Sequence, residues 1–248
     1  MSIEQVDKRN VIIGKREGMA LVDFHAHWSG PHATHAMTIP GVLRYIQSHV
    51  IRPLWRSTDR WDGLEGFVEL VFASPDALST ALSRMPNVDD LLTDEARFLG
   101  RWTSCSAIAQ PGMPMPSQRR IVVILSRPQG VLEDAFREEI TAYLAKTRRL
   151  CPCYADETLD RQTRKRPQLP HFDWPDWFIH FDPLPDADLP GLLAGDGSIL
   201  TGLAALSGEG AAFLTRTEAK VLPHDRDAGG GINPSGAVLR PPSGRPDR

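Results

Sequence analysis

The sequence predicts an α+β fold built from two ferredoxin-like halves, and three observations carry that prediction. Residues 1–110 read strand, helix, strand, strand, helix, strand, which is the ferredoxin-like order. Gln110 to Gln118 (QPGMPMPSQ) then has the composition of a linker, with three prolines and a glycine. After it the order of elements starts again, from the β-branched run RIVVILS. The implied layout is a first half over 1–110, a second, degenerate half over 119–223, and a disordered Gly-, Pro- and charge-rich tail over 224–248.

Each element has a local reason. Residues 10–16 (NVIIGKR) hold a short apolar run suited to a first strand. Ala20, Leu21, Phe24, Trp28 and His32 recur at three- and four-residue steps, as an amphipathic helix requires. Ser29-Gly30-Pro31 interrupts it, because proline lacks an amide donor and disfavours helix at the preceding residue. A kinked or two-part helix is expected, with His32 and His35 on its second part. Pro40-Gly41 makes a turn. Arg44 to Ile51 then alternates, Tyr45, Gln47 and His49 facing one way and Ile46, Ser48 and Val50 the other.

Trp55 to Gly63 reads as a loop, and Gly66 to Phe72 (GFVELVF) as a strand with Glu69 inside an apolar run. Helices are expected over Asp76 to Met85 and Leu91 to Leu99, and a closing strand over Thr103 to Ala109. In the second half, Arg120 to Ser126, Cys151 to Thr158, Trp177 to Phe181 and Ala211 to Val221 read as strands. Leu132 to Leu150 reads as a helix with Leu132, Phe136, Ile140, Tyr143 and Leu144 on its apolar face. Asp186 to Leu193 and Ile199 to Leu206 are shorter helical pieces. The basic run Arg161–Lys165 is a solvated loop.

Composition narrows the function classes. With 41% apolar and 24% charged residues the chain is an ordinary globular protein, and a net charge of −3 favours neither nucleic acid nor anionic membrane. No apolar run is long enough to span a bilayer, and MSIEQVDKRN lacks the apolar core of a signal peptide. Cys105, Cys151 and Cys153 form no disulfide framework and read as idle thiols of a reducing, cytoplasmic compartment.

Five of the eight histidines (His25, His27, His32, His35 and His49) fall between Phe24 and Ile51, so groups that titrate near neutrality concentrate there. His25-x-His27 with His32 and His35 could offer nitrogen ligands to a metal. The spacing matches no H-E-x-x-H helix, however, and Ser29-Gly30-Pro31 prevents one continuous face. No metal and no organic cofactor are expected. In the second half, His171, Trp174, Trp177 and His180 read as sheet core and loop anchors rather than as a second pocket.

The spacing Phe24-x-x-His27-Trp28-x-x-x-His32, then Pro40-Gly41 and Arg44-Tyr45-x-Gln47-x-His49, resembles the EthD-domain family. Glu65-Gly66-x-x-Glu69-x-x-Phe72 is similar to its D-G-x-x-E-x-x-F strand, with glutamate in place of the usual aspartate. Asp94-Glu95-x-x-Phe98 is similar to its D-E-x-x-F segment. The resemblance covers roughly residues 10–110; His25 and His35 are not part of it, and the second half lacks its motifs.

The resemblance implies a dimeric α/β-barrel, closed here either by the chain's own two halves or in a homodimer. It further implies a cofactor-free lyase, dehydratase or isomerase acting on a small aromatic, polyketide or lactone substrate. His32 matches the family histidine and is the candidate general acid or base. His49 is its candidate partner, and Glu69, its pKa raised by burial, a second acid or base. Tyr45 and Gln47 would orient a substrate carbonyl or stabilise an oxyanion; Trp28 and His27 would complete the substrate site, Trp28 as pocket wall. The competing readings are a non-catalytic ligand-binding protein and a haem- or metal-dependent enzyme.

Overall fold

The computed structural model describes residues 6–81, 83–109, 115–149, 151–160, 169–183 and 198–221. The expected tail over 224–248, the helical piece over 186–193, the basic loop 161–165 and most of the linker lie outside them. The described elements run β1 (Val6–Lys15), α1 (Leu21–His27), a π-helical turn (Trp28–His32), α2 (Ala33–Ala36), β2 (Val42–Arg56), β3 (Gly66–Phe72), α3 (Pro75–Thr80), α4 (Val88–Phe98) and β4 (Leu99–Ala109). They continue with β5 (Arg119–Ser126), α5 (Glu133–Thr147), β6 (Cys153–Asp160), β7 (Trp177–Phe181), α6 (Ile199–Leu206) and β8 (Glu209–Val221).

The eight strands form one closed antiparallel barrel in the order β1-β3-β2-β8-β5-β7-β6-β4. Read from β4, the first four strands run 4-1-3-2, and from β8 the second four repeat that arrangement as 8-5-7-6. The seams differ. β2 pairs with β8 along most of its length, whereas β4 meets β6 at Ser106↔Asp160 and Ala107↔Thr158. β2 extends well past the predicted Ile51. Register shifts at Val50/Arg52 and Pro53/Trp55 absorb Pro53, whose missing amide would break a regular ladder.

The helix is in two parts, α1 and α2, as predicted, but what separates them at Ser29-Gly30-Pro31 is a π-helical turn that holds His32, not a break in the helical backbone. Pro31 sits inside a π-helical turn, and the backbone stays right-handed helical through Trp28 and Ala33. The wider turn accommodates a residue without an amide donor, where a regular turn would kink.

Alternation along the strands makes two interiors. The outward face of the first half carries Val11, Ile13, Tyr45, Val68, Leu70, Phe72 and Trp102, covered by Phe24, Trp28, Leu91 and Phe98 from the helices. Burying side chains such as Phe24 and Trp28 contributes about 1.5–3 kcal/mol each. The second half does the same with Ile121, Val123 and Ile179 beneath Phe136, Ile140 and Leu203. Inside the barrel lie Ile12, Phe67, Val122, Ile124, Phe178 and Phe213 at one level, and a set of buried charges at another.

Candidate functional site

A cavity opens between the first-half sheet and its helices, on the outward face of the barrel. Val11, Ile13, Val68, Leu70 and Phe72 form its floor, and Trp28, His32, Leu91, Glu95 and Phe98 its roof, with Tyr45, Arg9 and Trp102 also on its wall. Its polar groups are Arg9, His32, Tyr45 and Glu95.

His32, at the end of the π-turn, is 7% exposed. Its Nδ1 lies 2.9 Å from Oδ2 of Asp94, and His27 Nε2 lies 2.8 Å from the other oxygen, Oδ1. An ionised carboxylate only accepts, so both of these ring nitrogens carry hydrogen, and Nε2 is the basic nitrogen of a neutral His32. Burial opposes the charge on Asp94, but the hydrogen bonds from His32 and His27 outweigh it and hold its carboxyl below the ordinary range. The five-residue step from His27 to His32 suits one carboxylate because the intervening turn is π-helical.

Tyr45 is fully buried. Trp28 Nε1–H and Gln47 Nε2–H both donate to its hydroxyl oxygen at 2.9 Å. Burial, above all, raises its pKa. With its lone pairs engaged, the hydroxyl keeps its own hydrogen to donate to a third group, and the residue lines the cavity. Gln47 also donates to the Trp28 carbonyl at 2.8 Å. It therefore holds Tyr45 and Trp28 in place rather than lining the cavity itself.

Two of the predicted residues lie elsewhere. His49 sits behind the Trp28 indole, ring centroids 4.2 Å apart, with His25 edge-on at 4.7 Å. Neither of its ring nitrogens has a hydrogen-bond partner. Burial, and then the nearby His25, Arg216 and Lys220, push its pKa down to about 3, so it is neutral and is not brought to His32.

Glu69 faces the inside of the barrel. In the β2–β3 register it stands opposite Ile46, not Tyr45. There its Oε2 accepts from Lys8 Nζ (2.6 Å) and Tyr154 Oη–H (2.8 Å), and its Oε1 from Arg120 (2.5 Å). Lys8 also donates to Asp156, which His180 Nε2 approaches at 3.2 Å. Burial does oppose the charge on Glu69, as the sequence suggests. The combined fields of His180, Lys8 and Arg120 win and hold its pKa well below the ordinary range. Glu69 is thus a buried counter-ion, not a raised-pKa acid beside His32.

Among the described residues, the side chains close enough to share a metal are Glu69, Asp156 and His180, not the histidines of the α1–α2 region. The Lys8 ammonium already bonds both carboxylates, which supplies the positive charge a metal would bring. In the second half, His171 Nδ1 meets the Trp102 carbonyl at 2.8 Å and Trp174 Nε1–H donates to that of Ser104 at 3.2 Å, so both tie a loop to β4.

Asp94 was missed as a functional residue. Its signal is the stripe Leu91, Asp94, Glu95, Phe98, which puts two carboxylates on the buried face of α4.

The fold and cavity place the chain among α+β proteins with an eight-stranded antiparallel barrel. Residues 16–101 match the EthD domain model. No curated protein is similar to the sequence. Solved structures share the fold at low identity. An anthrone oxidase-like protein superposes with a TM-score of 0.56 at 10% identity, covering 91% of this chain and 97% of its own. A candidate monooxygenase from Fusobacterium nucleatum gives 0.53 at 13% identity, covering 88% and 95%. Another from Lactobacillus acidophilus gives 0.50 at 12%, covering 88% and 100%. No helix among the described residues is long and apolar enough to cross a membrane.

Proposed function

We propose that the chain is a cofactor-independent enzyme, a lyase (dehydratase) or isomerase, that moves a proton on a small, largely apolar oxygenated substrate bound in the first-half cavity. The observation that carries this reading is the His32–Asp94 pair. A buried carboxylate fixes the tautomer of an imidazole on the wall of an apolar cavity, the arrangement that makes histidine an oriented general base.

In this mechanism His32 Nε2 takes a carbon-bound proton α to a carbonyl. Asp94 stabilises the imidazolium, and the Tyr45 hydroxyl donates to the developing oxyanion. Return of the proton to another carbon completes an isomerisation; its delivery to a departing hydroxyl completes a dehydration. His27 and Gln47 act as positioning residues, on Asp94 and Tyr45 respectively. The second half of the chain, which repeats the strand order of the first as a degenerate copy, closes the barrel in place of a partner subunit.

The test uses 2-tetralone in D₂O, with α-proton exchange followed by NMR. The wild type should accelerate exchange. His32→Ala should lose about 10²–10⁴ of that acceleration, and Asp94→Asn most of it, with ligand binding retained. Exchange at the wild-type rate in His32→Ala would exclude His32 as the base.

A further inference from the structure

Resting on the cavity reading above, we infer that the substrate carries a carboxylate and that Arg9 is its counter-ion. Arg9 lies on β1, two residues before Val11 and on the same outward face, opposite Leu70 in the β1–β3 register. It lines the same cavity as His32. Its guanidinium makes no hydrogen bond or ion pair with any described residue.

That sets it apart from the other buried cations. Lys8 and Arg120 are each matched to carboxylates inside the barrel. Arg9 is half-buried among apolar side chains, and burial lowers its pKa, so its charge is held at a cost. An incoming carboxylate offsets that cost through two parallel N–H···O bonds, the geometry guanidinium favours. The rest of the wall is apolar, which fits a ligand with a hydrophobic body and one anionic end. Glu95, the carboxylate on the opposite wall, disfavours an anion near α4 and so directs it toward β1.

The test compares 2-naphthoate with neutral 2-naphthalenemethanol by isothermal titration calorimetry on the full chain. Wild type should bind the acid more tightly. Arg9→Met should weaken the acid alone, by about ten- to hundredfold, and Arg9→Lys should keep part of the preference. Equal affinities in the wild type, or a loss shared by both ligands in Arg9→Met, overturns the assignment. The wild-type comparison holds whether or not a variant folds. Failure of both probes to bind removes the cavity reading together with this one. A His32→Ala protein that keeps the acid preference but also keeps tetralone exchange refutes the proton-transfer reading and leaves Arg9's role standing.

Discussion

Glu69→Gln separates a structural role from a catalytic one. Inside the barrel, two cations (Lys8 and Arg120) meet two carboxylates (Glu69 and Asp156), all at 0–1% exposure, and Arg120 also bonds Asp182. Glu69 accepts from three donors through two oxygens. Glutamine keeps one acceptor oxygen, turns an NH₂ toward a donor and removes the charge that both Lys8 and Arg120 face. Removing one partner of a buried ion pair costs roughly 3–5 kcal/mol. For a chain of this size that lowers the melting temperature by about 6–20 °C.

The assay is urea unfolding and thermal melting near neutral pH. Depressed carboxylates contribute their full stabilisation above their ordinary pKa and lose it as pH falls through the lowered one, so neutral pH reads the whole effect. Tetralone exchange, measured well below the melting point, should stay near wild type. A stability loss under about 1 kcal/mol, or collapse of exchange in a folded Glu69→Gln protein, would refute this placement of Glu69.

Two further outcomes follow from the same geometry. His49 stays neutral in the native state down to about pH 3, while the unfolded chain takes up a proton near its ordinary value. Stability therefore falls as pH drops through that window, by up to roughly 4–5 kcal/mol; His49→Phe should flatten the slope in urea titrations at several pH values, and an unchanged slope would show that His49 does not carry it. A Cβ on Gly66 would lie 2.4 and 2.5 Å from two Trp28 ring atoms; Gly66→Ala should cost about 1–3 kcal/mol and shift tryptophan emission, so an unchanged melt and spectrum would count against that contact.

Much of the fold was legible in the sequence because it depends on local pattern. The short apolar runs Gly66–Phe72 and Trp177–Phe181 marked strands with the observed bounds, and Ile199–Leu206 was recovered as a helix. The order of elements in the first half needed no tertiary information, and the Phe24–His32 spacing located the roof of the cavity. Alternation also placed Tyr45, Gln47 and His49 on one face of β2 correctly.

Which residues meet across elements was decided only in three dimensions. Side-chain period in a strand is two, so a one-residue change in register moves a group to the opposite face. Glu69 lies across from Ile46 and therefore inside the barrel, and no property of GFVELVF alone separates that from the cavity face. Its pKa followed the partners it met there, Lys8 from β1 and Arg120 from the second half, rather than burial alone. The width of the Trp28 indole divides His49 from the cavity. Asp94 reaches two histidines more than sixty positions away because a π-turn aligns them. Local sequence determined the elements and their order; long-range register and the charges it brings together decided which residues make the site.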